Sequence, residues 1–138
     1  MSYVFGIILA SFGQSELVTD PVPEIIAITS IKSGRVNTSV AIQVNYDVNA
    51  MPNTDYKVKI EATRPNQPTI ILDSSRVTTL ADGKRSGVYK NLNTTLTAGT
   101  IYTITVKLYK ASDNTTTATP LSTAAQSVTI STGPFQNP

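Results

Sequence analysis

The chain contains no cysteine, no histidine and no tryptophan, and only 14% of its 138 residues are charged. Each absence excludes a chemistry. Without cysteine there is no disulfide framework and no thiol nucleophile; without cysteine and histidine there is no Cys/His metal site and no imidazole base. The formal net charge of +2 is too small to announce a nucleic-acid or membrane partner by itself. The nine acids, Glu16, Asp20, Glu24, Asp47, Asp55, Glu61, Asp73, Asp82 and Asp113, are scattered, mostly at turns and outward positions. They suggest neither the paired carboxylates of a glycosidase nor the Asp-rich loop of a calcium site. Asp82-Gly83 and Asp113-Asn114 read as turn formers. A serine paired with Lys84 or Lys90 has nothing to fix its geometry, and neither a nucleophile elbow nor a glycine-rich phosphate loop occurs. The expectation is a protein that is not an enzyme, with no cofactor and no metal.

What remains is rich in threonine, serine and asparagine, at a length that suits one domain able to bury its own core. The apolar residues alternate with polar ones almost everywhere, the period of half-buried strands. Glu24 to Thr29 reads as a first strand, with a turn at Ser33-Gly34-Arg35. Val40 to Val48 alternates without fault: Val40, Ile42, Val44, Tyr46 and Val48 face inward, and Ala41, Gln43, Asn45 and Asp47 outward. Tyr56, Val58 and Ile60 form the inward side of the next strand, with Lys57, Lys59 and Glu61 outward. Thr69 to Asp73 reads as a short strand. Asp82-Gly83 carries the signature of a tight hairpin joining Arg76–Leu80 to Gly87–Leu92. Ile101 to Lys110 points Tyr102, Ile104, Val106 and Leu108 inward, and a last strand includes Gln126 to Ile130. Seven or eight short strands at this spacing predict an antiparallel β-sandwich.

Leu96-Thr97-Ala98-Gly99-Thr100-Ile101-Tyr102 resembles the corner that precedes the sixth strand of fibronectin type III and related immunoglobulin-like domains. The resemblance spans residues 24 to 132 and implies an immunoglobulin-like sandwich of about seven strands. It makes Tyr102 the corner tyrosine whose hydroxyl bonds to upstream backbone, with Leu96 as its packing partner and Gly99 in the turn. Tyr46 stands near the place where the family usually has a tryptophan, and Ala98 stands where a proline often precedes the corner glycine. The domain organisation expected is an N-terminal arm or added strand over residues 1–22, the sandwich over 23–132 and a C-terminal tail over 133–138.

Lys57, Lys59 and Lys107, with Lys84-Arg85, are the nearest approach to a basic patch. Stacking aromatics are sparse around them, so they read as a solvated face rather than a nucleic-acid surface. The sequons at Asn37, Asn93 and Asn114 follow from composition. The least ordinary feature is the start of the chain. Tyr3 to Ala10 has the length of a signal-peptide core, but no basic residue precedes it and Phe12 spoils the cleavage pattern. It is too short to span a bilayer. Val4, Phe5, Ile7, Ile8, Leu9 and Phe12 are therefore expected to form a retained segment that buries its side chains in an assembly contact. At about 25 cal/mol per Å2 such burial is worth several kcal/mol before ordering costs.

Immunoglobulin-like domains on phage particles resemble this chain in size, low charge and Thr/Asn-rich surface. The functional expectation is a virion component: a capsid decoration, cement or minor capsid protein, or a neck or tail piece. Its partners would be other virion or assembly subunits, further copies of this chain among them, with no nucleic acid and no membrane span. Two alternatives stand beside it. One is an extracellular or bacterial cell-surface module that binds carbohydrate through exposed Tyr109, Tyr89 or loop asparagines. The other is a filament subunit completed by donor strand exchange.

Overall fold

The structure, a computed structural model, describes residues 22 to 136. Seven strands run in the order β1 (Ile25–Val36), β2 (Ser39–Asn49), β3 (Asp55–Thr63), β4 (Ile70–Thr78), β5 (Lys84–Thr94), β6 (Ile101–Lys110) and β7 (Ser122–Thr129). They form two antiparallel sheets, β1-β2-β5 and β4-β3-β6-β7. Period-two alternation places the core. Val40, Ile42, Val44, Tyr46 and Val48 from β2 meet Tyr56, Val58 and Ile60 from β3 and Tyr102, Ile104, Val106 and Leu108 from β6, all buried. In a constant-type immunoglobulin domain the fourth strand lies with the first, second and fifth. Here β4 pairs with β3 instead, through a bulge between Ile60 and Glu61.

Three expectations about turns and strands fail, each for a local reason. Ser33-Gly34-Arg35 is not a turn: β1 continues to Val36, and the chain reverses at Asn37, whose φ of 57° an asparagine tolerates. Gly34 answers a different need. A Cβ there would lie 2.6 Å from the backbone of Phe135. The Asp82-Gly83 turn closes no hairpin, because β4 pairs with β3 and β5 with β2. It carries the chain from one sheet to the other. Gly83 sits at φ 78°, its carbonyl accepts the Ala50 N–H at 2.7 Å, and a Cβ would strike the Ala50 carbonyl oxygen. The segments expected as separate strands, Thr69–Asp73 and Arg76–Leu80, merge largely into β4.

The C-terminal tail docks. Arg35 donates its N–H to Gly133 O at 2.8 Å and accepts that of Phe135 at 2.9 Å, a short parallel pairing on β1. Lys90 Nζ, reaching over from β5, lies 5.4 Å from the centroid of the Phe135 ring. Ala41 and Gln43 alternate outward yet are buried; they pair with Gly34 and Lys32, the part of the outer face that this tail crosses.

Candidate functional site

The corner named from the sequence forms one end of the sandwich. Thr97 donates its N–H to Tyr102 Oη at 3.1 Å, five residues upstream of the ring. Leu96 and Tyr102 are both buried. Gly99 takes φ 80°, and its N–H reaches Ile130 O at 2.7 Å, tying the corner to the end of β7. The Arg64 guanidinium lies 5.5 Å above the Tyr102 ring. These contacts position β6, and beside them Arg64 and Tyr102 line a small cleft of about 160 Å3 with Ala62, Gln67, Pro68 and Ile70.

The opposite end repeats the device, which sequence reasoning missed. Tyr56, at the start of β3, accepts the N–H of Met51 at 3.0 Å, again five residues upstream, and its hydroxyl donates to Glu24 Oε2 at 2.7 Å. Burial first, and then the bond to the Glu24 carboxylate, push the Tyr56 pKa above its usual 10.0. The available signal was a tyrosine opening a strand after the Pro52-Asn53 turn; Asn53 takes φ 48°. Thr79 braces the same end, accepting the Thr54 N–H at 3.0 Å and donating to Met51 O. Asn53 N–H reaches Leu80 O at 3.0 Å. Glu24 thus fixes to a rigid end of the sandwich the point at which the preceding chain arrives.

That end carries four large apolar side chains left 43–52% exposed: Val22, Ile25, Met51 and Leu80. Beside them lies a cleft of about 400 Å3 lined by Asp47, Val48, Asn49, Leu80, Lys84, Arg85 and Ser86. Asp47 in it is held by Ser86 Oγ at 2.7 Å. Exposed apolar groups around a charged cleft suit contact with another macromolecule better than a small-molecule reaction. The six residues expected to make the assembly contact, Val4, Phe5, Ile7, Ile8, Leu9 and Phe12, lie outside the described residues.

The outer face of the four-stranded sheet gathers Lys57, Lys59 and Lys107, as their alternation required. Glu61 lies among them, 2.8 Å from Lys107 Nζ and 3.4 Å from Lys59 Nζ. Hydrogen bonding to Glu61 raises the Lys107 pKa. Lys57 and Lys59 also donate to the carbonyls of Asp113 and Thr115 at 2.7 and 3.3 Å. The lysines therefore pin the β6–β7 connection onto the sheet. Tyr109, expected as an exposed ligand contact, is only 2% exposed, and Tyr89 is half-buried. Among the described residues no group of three or more Asp and Glu comes together as a metal cluster would, and no helix is long and apolar enough to cross a membrane.

The two seams between the sheets differ. Along β1 and β7, Ile26 N–H donates to Ser122 Oγ at 3.1 Å, Ser131 N–H donates to Ser33 Oγ at 2.9 Å, and the tail pairs with Arg35. The seam between β4 and β5 is crossed instead by the Tyr46 hydroxyl of β2, which bonds to the Ser75 side chain of β4. It holds a groove of about 150 Å3 that includes Tyr89, whose Oη is buried without a hydrogen-bond partner. An unmet buried hydroxyl costs about 1–3 kcal/mol.

No family model matches the chain, and no curated protein matches it. A solved structure that it resembles is the CARDB domain of a Pyrococcus furiosus protein, determined in complex with di-metal ions. The TM-score is 0.51 at 14% identity, over 84% of this chain and 94% of that one. At that identity the likeness speaks for the fold alone. With the seven strands in two antiparallel sheets, the fold is an immunoglobulin-like β-sandwich.

Proposed function

We propose that this chain is a non-enzymatic structural subunit of a large assembly, a virus or phage particle, held to its neighbours by the segment before Pro23. The observation that carries the reading is the Glu24–Tyr56–Met51 lock. It anchors the chain just after a segment whose residues 1–15 have no charged side chain, at a rigid end of the sandwich where Val22, Ile25, Met51 and Leu80 stay exposed. The surface supports the same reading: its polar atoms are mostly hydroxyls and amides on outward strand positions and turns.

The test is on native material. A subunit of this kind sediments with particles and keeps residues 1–21 by intact mass. A chain recovered free in the medium, with its N-terminus after residue 13, contradicts the proposal and makes it a secreted module instead.

A further inference from the structure

We infer that the segment over residues 3–12 of one copy adds as a strand to β4 of the next copy, in the seam between β4 and β5, so that copies join head to tail. The inference rests on the proposed assembly role and names the acceptor for it.

The acceptor is a sheet edge with apolar neighbours. β4 is the outer strand of its sheet, and the backbone groups on its far side have no ladder partner there. Its first three residues, Ile70, Ile71 and Leu72, are apolar; Ile71 is 51% exposed, while Ile70 and Leu72 are half-buried against the core. The facing edge, β5, carries Lys84, Arg85 and Lys90, whereas β4 is free of charge over Ile70–Leu72 and meets Asp73 and Arg76 only beyond that stretch. The groove beside Ile70–Leu72 is lined without a single charged residue and continues over Asn91, Asn93, Thr94 and Thr95, whose side chains offer hydrogen-bond partners to an added strand.

The occupant matches. Residues 1–15 carry no charge, and Tyr3 to Phe12 is apolar at both alternating positions, as a strand buried on two faces is. The geometry favours a second copy. β4 runs from Ile70, paired with Ala62 at the far end of β3, to Thr78, paired with Asp55. The groove therefore lies about 26 Å from the Tyr56 end, where the donor chain arrives. In the sequence Asp20-Pro21-Val22-Pro23 each proline restricts both itself and the residue before it, which disfavours a tight return of the chain onto its own sandwich. A stiff sequence at the end opposite the groove favours the groove of a neighbour. Donor and acceptor at opposite ends make a heterologous contact, which yields rings or open filaments rather than a closed two-fold pair.

Because the chain has no cysteine, the test is clean. Full-length Ile8→Cys and isotope-labelled full-length Ile71→Cys are mixed, dissociated, reassembled and oxidised. The expected product is a disulfide between the unlike copies, with no such product when Thr123→Cys on β7 replaces Ile71→Cys. If the double variant, Ile8→Cys with Ile71→Cys, locks within single chains while the mixture gives no crosslink, the segment docks in its own sandwich and the inference falls. If the mixture assembles but crosslinks only through Thr123→Cys, the acceptor is wrong and the tether reading stands. If every full-length variant, uncrosslinked, stays a monomer like the unmodified chain, both fall.

Discussion

Tyr56 and Tyr102 do the same work at opposite ends of the sandwich. Each opens a strand, is buried, and accepts a backbone N–H from five residues upstream. Replacing Tyr102 with phenylalanine strands the Thr97 N–H; a lost bond of this kind costs about 1–3 kcal/mol, and the melting temperature should fall by about 3–10 °C. Tyr56→Phe loses a comparable amount and also frees Glu24. It should open residues 20–25 to limited proteolysis, which Tyr102→Phe does not. Equal cleavage in the two variants would refute the lock. The tyrosines also set an alkaline limit. Burial raises the pKa of Tyr46, Tyr56 and Tyr89 above 10.0, so the folded state holds these protons more tightly than the unfolded chain. Their contribution is complete below pH 10 and is lost as pH rises through the folded values. The urea midpoint should be level from neutral pH to about 10 and fall beyond it. A midpoint still level well above pH 10 would contradict the burial.

At the scale of elements, alternation made most of the sandwich legible. β2, β3 and β6 point inward the residues that their period-two pattern assigned, and Leu96, Gly99 and Tyr102 mark the corner in the sequence itself. Glycine was the unreliable signal, because a turn and a close approach leave the same residue. Gly34 looked like a turn but makes room for Phe135, more than 100 positions away in sequence, and no local pattern carries that partner. The Asp82-Gly83 turn is real, but whether it joins two strands of one sheet or crosses between sheets depends on which neighbours β4 and β5 find. The burial of Ala41 and Tyr109 was hidden for the same reason: the tail and the β6–β7 connection fold over outer faces that alternation alone leaves to solvent. Gly34→Ala tests this. The new Cβ cannot fit against the Phe135 backbone, so hydrogen exchange at the Arg35 and Phe135 amides should speed up while the β2 and β6 amides keep their protection. Unchanged exchange at Arg35 would mean that the tail does not depend on the glycine.

At the scale of the whole molecule, a composition short of reactive side chains builds two sheets whose ends are pinned by tyrosines and whose seams are unequal. One seam is stitched by serine hydroxyls and the docked tail; the other holds a groove with Ile70–Leu72 on one side and Asn91, Asn93, Thr94 and Thr95 on the other. The segment that precedes Glu16 has no charged side chain and is rich in large apolar residues. The account assigns it to neighbours. The direct test is sedimentation velocity of the full chain beside one lacking residues 1–20, over a range of concentrations. The account predicts that the full chain grows with concentration well beyond its 14.7 kDa monomer mass, while the shortened chain keeps the same melting temperature and stays a monomer. A full chain that remains a monomer throughout would contradict it.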